Sequence, residues 1–376
     1  MLSNSPFHSP RVLAGLLAHG LGIDYLERLN GIDDLRRYVT LLEDAIQVEG
    51  VDCTVRQLAN QVEHIVRAEP FRRCDELRGA VWLVAELEPR RSVRDLCQSM
   101  MRRSTFPSGA PSRGRRRFAV GSSSRDIAVE YYIPESSGLN RQVLFVLHGV
   151  LRDPEAYLTP WMSFADKTGC AVFAPHFSKD DFPDSRSYNQ GNVLSRDQVV
   201  LPRDSWSFQI IEDLFDEVRA WCGSSASTYA AYGHSAGAQF AHRMLLLIPD
   251  SRASIVIAAN SGWYTLPNND IDYPYGLSGI PISKTHAKSA IGSNLVLLLG
   301  DGDTVVDDPH LRATPMALKQ GAHRLERGLN FYLSGRSAAA RLDTELGWKQ
   351  VRVQGVGHDQ AAMAIAASSI LTEHFS

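Results

Sequence analysis

The chain lacks the features that mark several classes of protein. Its five cysteines are scattered without a C-x-x-C pair, which argues against a zinc site or a disulfide framework and favours free thiols in a reducing compartment. No apolar run reaches the roughly 18 residues of a membrane span. The apolar segment 12–23 lacks both the basic start and the cleavage site of a signal peptide. These absences predict a cytoplasmic protein without a membrane span.

The chain also lacks a large excess of either positive or negative charge. The 39 basic and 42 acidic residues leave a net charge of −3, which provides no overall field to attract nucleic acid. The composition is otherwise that of a globular protein, because 44% of the residues are hydrophobic and 22% are charged. We therefore expect a folded protein with no nucleic-acid partner.

The pattern of residues divides the chain of 376 into three parts. Residues 1–103 carry apolar residues at helical spacing and predict a small bundle of about five helices. Residues 104–117 are rich in Pro, Gly, Ser and Arg and predict a flexible, solvated linker. In residues 118–376, short apolar runs alternate with helical patterns. This alternation predicts an α/β domain with a mostly parallel sheet and helices on both faces.

The sharpest local signal is a G-x-S-x-G segment, Gly233-His234-Ser235-Ala236-Gly237, between a predicted strand and a predicted helix. In so tight a turn the neighbouring backbone comes so close that side chains at both glycine positions would collide. The turn would present the serine hydroxyl at a helix N-terminus, where backbone N–H groups stabilise an anion. The pattern predicts Ser235 as a nucleophile, and the alternative is a serine that only shapes the turn.

A serine hydroxyl needs a base to remove its proton and an acid to orient that base. Among the 12 histidines, His358 stands out because it follows a predicted strand and a glycine-rich turn at the end of the domain. Asp303 ends a G-D-G-D segment after the predicted strand 295–299, at the same edge of the sheet. We therefore predict His358 as the base and Asp303 as the acid, with Asp301 and Asp307 as alternatives.

A tetrahedral intermediate also needs two N–H donors aimed at its oxyanion. The backbone N–H of Ala236, directly after the nucleophile, would supply one of them. Val150 would supply the other, because it follows His148-Gly149 at the end of the predicted strand 143–147. An ordinary strand-terminating turn is the alternative for His148-Gly149.

In this order the motifs resemble those of the α/β-hydrolases, and residues 118–376 resemble bacterial esterases of the poly(3-hydroxybutyrate) depolymerase-like kind. The resemblance rests on the segments 147–153, 233–237, 260–264, 300–303 and 355–359. It implies hydrolysis of a small or polymeric carboxylic ester through an acyl-enzyme at Ser235, without a cofactor. It does not carry the polymer over as the substrate, and it does not extend to residues 1–117.

Aromatic residues follow the strand predicted at 254–259, and two of them, Trp263 and Tyr264, are candidates to line a substrate pocket. The alternative is that they pack the loop onto the sheet. A longer segment, 178–204, is a candidate to cover the site. The oxygen-rich segment 268–272 lacks the spacing of a calcium loop, so no metal is predicted.

The sequence also allows other functions. In one of them, the hydrolase domain is an effector, and a protein partner that binds residues 1–103 regulates its activity. A thioesterase or a peptidase would use the same three side chains, and a binding module would retain them without activity. Reaction of Ser235 with a fluorophosphonate separates an enzyme from a binding module.

Overall fold

The computed structural model describes residues 112–121, 125–135 and 141–375, which lie within one compact unit, Pro107–Ser376. The helical bundle predicted for residues 1–103 lies outside the described residues, and so does the first part of the predicted linker. The remaining part of the chain forms the predicted α/β fold.

Among the described residues, eight strands form one sheet with the order β1-β2-β4-β3-β5-β6-β7-β8. Strand β2 runs antiparallel to both β1 and β4. The six strands that follow β2 in this order, including β3, are parallel to one another. The mostly parallel sheet is therefore confirmed. The strands are β1 (Ser112–Val120), β2 (Arg125–Ile133), β3 (Val143–Leu147), β4 (Ala171–His176), β5 (Tyr229–His234), β6 (Ala253–Ala259), β7 (Leu295–Gly300) and β8 (Lys349–Val353).

Helices cover both faces of the sheet because the central strands carry apolar side chains on both sides. On one face, Tyr232 of β5 packs against Trp161 with ring centroids 4.8 Å apart. On the other face, Tyr229 of the same strand contacts Phe145 of β3 and Phe215 of a helix. The α-helices are α1 (Pro154–Leu158), α2 (Met162–Thr168), α3 (Gln209–Trp221), α4 (Ala236–Leu247), α5 (Lys284–Gly292), α6 (Pro315–Leu318), α7 (Arg324–Leu342) and α8 (Gln360–Phe375).

The predicted linker is wrong over residues 112–117, because these residues belong to the edge strand β1, which is paired with β2 along its whole length. Phe118 and Val120 at the end of this strand are buried. The guanidinium of Arg116 lies over the ring of Trp221, 5.1 Å from its centroid. Exposed charges are common on edge strands, since they discourage pairing with another chain. The folded domain thus begins before residue 118.

Cys170 and Cys222 are buried free thiols, as predicted, and the other cysteines lie outside the described residues. Burial raises the pKa of both thiols above its ordinary value. In the part of the chain that the structure describes, none of the helices combines the length and the hydropathy needed to cross a membrane.

Candidate active site

Ser235 lies in the turn between β5 and α4 with φ 57° and ψ −114°, a strained backbone conformation for a residue other than glycine. A Cβ atom added to Gly233 would overlap the carbonyl oxygen of Gly237, and one added to Gly237 would overlap that of Leu147 in β3. The expected collisions are confirmed. The backbone N–H of Ser235 donates to the carbonyl of Ala259 at 3.0 Å, which helps to hold the strained turn in place.

The structure brings the three predicted side chains together at the carboxyl edge of the sheet. Nε2 of His358 lies 3.0 Å from Oγ of Ser235, and Nδ1 of the same ring lies 2.7 Å from Oδ2 of Asp303. The Asp303 side chain is 1% exposed and that of His358 is 27% exposed. With the ring proton on Nδ1 donated to Asp303, Nε2 is free to accept the proton of the serine hydroxyl.

The two alternative acids have other places. The carboxylate of Asp301 accepts a hydrogen bond of 2.6 Å from the backbone N–H of Gly355, in the glycine-rich turn before His358. Asp301 therefore anchors this turn, and Asp307 is exposed to solvent. The carboxylate in contact with the imidazole is that of Asp303.

Asn260 connects the loop that carries Asp303 (the acid loop) to the loop that carries His358 (the histidine loop). This role was not predicted from the sequence. It follows β6, is 2% exposed and has a φ of 47°. Its Oδ1 accepts from the backbone N–H of Gly300, and its Nδ2 donates to the carbonyl of Gly357, both at 2.8 Å. The available signal was its position directly after a predicted strand, in the segment 260–264 that contributes to the resemblance.

The two backbone donors predicted for an oxyanion lie on segments next to the nucleophile. Ala236 is the first residue of α4, so its N–H has no acceptor within the helix. Val150 follows Gly149, where an added Cβ atom would lie 3.8 Å from Cβ of Ser235. The loop that carries Val150 therefore passes beside the serine, and the binding of an oxyanion by these two groups stays a prediction.

His148 fixes the start of this loop. Its Nδ1–H donates to the carbonyl of Gly149, and its Nε2 accepts from the backbone N–H of Phe177, both at 3.1 Å. Burial lowers the pKa of His148 to about 3, so the ring is neutral near pH 7. Tyr188, in the segment 178–204, donates its hydroxyl proton to the His148 carbonyl at 2.7 Å. This segment thus supports the loop, and whether it covers the site stays a prediction.

His234, the residue before the nucleophile, lies against the predicted base. Its ring centroid is 4.6 Å from that of His358, and its Nδ1 is 3.2 Å from the hydroxyl of Tyr157. Burial, together with the neighbouring His358, lowers the pKa of His234 well below its ordinary value. His234 is therefore neutral and adds no positive charge beside the imidazole of His358.

The two aromatic residues proposed for the substrate pocket are buried. Tyr264 is 0% exposed and stacks on Phe331 with ring centroids 4.4 Å apart. Trp263 is 3% exposed and contacts the guanidinium groups of Arg243 and Arg312, at 4.0 and 4.7 Å from its ring centroid. These contacts favour the alternative interpretation, in which both side chains pack the loop onto the domain. Within the described ranges, no group of three or more potential metal ligands comes together.

No protein-family model and no curated protein sequence matches the chain. Two solved structures resemble it closely. Poly(aspartic acid) hydrolase-1 from Sphingomonas sp. KT-1 is 39% identical, with a TM-score of 0.68 over 70% of this chain and 100% of that one. LpqC, a poly(3-hydroxybutyrate) depolymerase from Bordetella parapertussis, is 32% identical, with a TM-score of 0.67 over 71% of this chain and 91% of that one. Identity at this level over nearly the whole of both relatives indicates common ancestry in addition to a shared fold.

Proposed function

Since the chain belongs to the α/β-hydrolases, in the same family as these two polymer hydrolases, and is itself a hydrolase, we propose that it cleaves carboxylic esters through a Ser235–His358–Asp303 triad and an acyl-enzyme intermediate. The observation that carries the proposal is the unbroken series of hydrogen bonds from the buried carboxylate through the imidazole to the serine oxygen. Such a series is the arrangement that activates a hydroxyl as a nucleophile.

The first half of the reaction transfers the acyl group to the enzyme. Oγ of Ser235 attacks the ester carbonyl carbon while Nε2 of His358 takes the hydroxyl proton. The carbonyl oxygen becomes an oxyanion, and the N–H groups of Ala236 and Val150 donate hydrogen bonds to it. When the intermediate collapses, the bond to the alcohol breaks, and His358 returns its proton to the leaving alcohol oxygen.

The second half releases the acid and restores the enzyme. His358 removes a proton from a water molecule, whose oxygen attacks the acyl-enzyme carbonyl. The second tetrahedral intermediate then expels Oγ of Ser235, which regains its proton from His358. Asp303 keeps the ring proton on Nδ1 and stabilises the imidazolium that forms in each half. The reaction as proposed needs only the ester and water, so no cofactor is required.

The surroundings of the triad favour an uncharged ester. Four exposed apolar residues lie in the loop of the proposed oxyanion donor or shortly after the proposed acid: Val150, Leu151, Val305 and Val306. Asp307 and Asp359, close in sequence to Asp303 and His358, are exposed carboxylates. Negative charges on the segments that carry Asp303 and His358 would repel a polyanion, whereas exposed apolar side chains bind aliphatic groups. We therefore expect neutral esters, small or polymeric, to be better substrates than poly(aspartic acid).

The test is hydrolysis of a graded series of p-nitrophenyl esters, from acetate to longer acyl chains, compared with thioesters, peptides, poly(3-hydroxybutyrate) and poly(aspartic acid). The proposal expects the highest kcat/KM on neutral oxygen esters, together with labelling of Ser235 by a fluorophosphonate. Ester hydrolysis that persists without a reactive Ser235, or a preference for peptides, would overturn it.

A further inference from the structure

A buried arginine lies between the proposed catalytic acid and a second carboxylate. Arg324, the first residue of α7, is 1% exposed. Its Nη1 lies 2.8 Å from Oδ2 of Asp308 and 3.6 Å from Oδ1 of Asp303. The other oxygen of Asp303 contacts His358 at 2.7 Å. The arginine thus faces the carboxylate oxygen that the histidine does not use.

Burial at this position is energetically unfavourable for a charged side chain. Removing a guanidinium from water carries a large desolvation penalty, and an apolar residue of similar volume often stabilises a core at least as well. The backbone fixes the arrangement, because the N–H of Leu325 donates to the carbonyl of Asp303 at 3.2 Å. The start of α7 is therefore tied to the acid loop, and Arg324 is held at one place relative to the carboxylate.

We propose that Arg324 and Asp308 are positioning residues for the triad. Arg324 orients the Asp303 carboxylate toward His358. Asp308 partly neutralises Arg324 and so limits the positive charge that acts on Asp303. The proposal rests on the proposed function, since it concerns the same triad. Neither residue touches the reacting atoms, so both act through Asp303 and His358.

The signs of the two effects are opposite. Arg324 offsets part of the negative charge of Asp303, and this makes the imidazolium of His358 less stable. Asp308 in turn offsets part of the charge of Arg324. Removing the arginine therefore favours the imidazolium, whereas neutralising Asp308 disfavours it. As a result, the two substitutions move the pH at which activity is lost on the acid side in opposite directions.

The other ionisable groups around Asp303, His358 and Arg324 do not obscure this effect, and Arg327, three residues further along α7, is a buried cation that no variant changes. His234 at the end of β5 is neutral, because burial and the neighbouring His358 lower its pKa. Tyr264 in the loop after β6 is neutral, because burial and Asp303 raise its pKa. Asp308 is charged: although its burial acts in the opposite direction, hydrogen bonds from His310 and Arg324 hold its pKa below the ordinary value. Asp359, next to His358, is an exposed carboxylate that no variant changes.

The experiment compares Arg324→Gln, Arg324→Lys and Asp308→Asn with the control Asp307→Asn, which neutralises the exposed neighbouring carboxylate. We expect Arg324→Gln to lower kcat about 10- to 100-fold with little change in KM. It should also move the acid limb of the kcat/KM profile to higher pH by about 0.5 to 1 unit. Asp308→Asn should move that limb to lower pH, and Arg324→Lys should restore its position without restoring full kcat.

Fluorophosphonate labelling gives the concentration of folded sites, to which every rate is normalised. If Arg324→Gln does not fold, Asp308→Asn decides alone, because its side chain is 19% exposed and its shape is retained. Limbs that move in the same direction, or that match the Asp307→Asn control, overturn the proposal. Failure of the wild-type chain to label and to cleave esters would instead refute the proposed function.

Discussion

The side-chain amide of Asn260 donates a 2.8 Å hydrogen bond to the carbonyl oxygen of Gly357, the residue before the proposed base. The same side chain accepts from Gly300, where the strand that leads to Asp303 ends. One residue at the end of β6 therefore joins the two loops that must bring an acid and a histidine to within 2.7 Å of each other.

Asn260→Asp should lower kcat about 10- to 100-fold, because small displacements of catalytic groups are costly. The aspartate retains an acceptor for Gly300 but turns an oxygen, in place of a donor, toward the carbonyl of Gly357. Initial rates on a p-nitrophenyl ester, with kcat and KM separated, measure the effect. The matched control is Asn192→Asp, since Asn192 has a φ of 53° and its amide donates to the carbonyl of Ser205. Equal kcat in wild type and Asn260→Asp would contradict the assigned role.

Ser235→Ala should leave the fold intact and lower kcat on the order of a millionfold, as it does in subtilisin, where the members of the triad act as a unit. The reason is that no other group then forms the acyl-enzyme. The measurement is ester hydrolysis, combined with mass spectrometry after fluorophosphonate treatment, in which only the wild-type protein gains the adduct. A variant with a rate near that of the wild type would show that the nucleophile lies elsewhere.

Gly237→Ala should destabilise the domain by at least about 2 kcal/mol, because the new Cβ atom would overlap the backbone of Leu147 in β3. Gly292→Ala is the matched control: its Cβ atom would meet no atom within 4 Å. Urea unfolding of both variants gives the comparison. Equal stabilities would mean that the turn relaxes without cost.

The free energy of unfolding should fall as the pH decreases below about 6.5, the ordinary pKa of histidine. Burial lowers the pKa of His148 to about 3 and places those of His234 and His242 well below 6.5. Below pH 6.5 the unfolded chain therefore binds protons that the native protein does not. This contribution to stability is fully present above pH 6.5 and is lost on acidification.

The slope that these three histidines add approaches about 4 kcal/mol per pH unit when all of them are protonated only in the unfolded state. Urea unfolding at pH 7.5, 6.5 and 5.5 measures it. His242→Gln should reduce this added slope by about one third. Equal stability at pH 5.5 and 7.5, or an unchanged slope in the variant, would refute the assignment of these rings as neutral.

The central strands were predictable because burial on both faces leaves almost only apolar residues, as in Val143–Leu147 and Leu295–Gly300. The edge strand β1 was missed because its outer position lets it carry Arg113, Arg115 and Arg116, whose charges are typical of a solvated linker. Composition does not show that Arg113 pairs with Glu155 at 2.9 Å, or that the strand is paired along its whole length with β2.

The three side chains of the proposed triad could be located from the sequence because each lies at a short motif that follows a strand. Arg324 was not, since a single arginine at the start of a helix usually faces solvent and its burial depends on the tertiary fold. Trp263 and Tyr264 are candidates for a pocket from their chain position alone, which does not distinguish a pocket from packing of the loop. Their burial depends on Arg243, Arg312 and Phe331, which are distant in sequence.

Strand β8 at the far edge of the sheet determines when the proposed chemistry becomes available during synthesis. The serine and the acid precede it, but the histidine follows Val353, near the end of the sequence. If His358 is the base, a growing chain that has emerged only as far as Leu342 holds an inactive hydroxyl, because its proposed proton acceptor has not yet been made. In the proposed mechanism, hydrolytic activity therefore arises only after β8 and the histidine that follows it have been made.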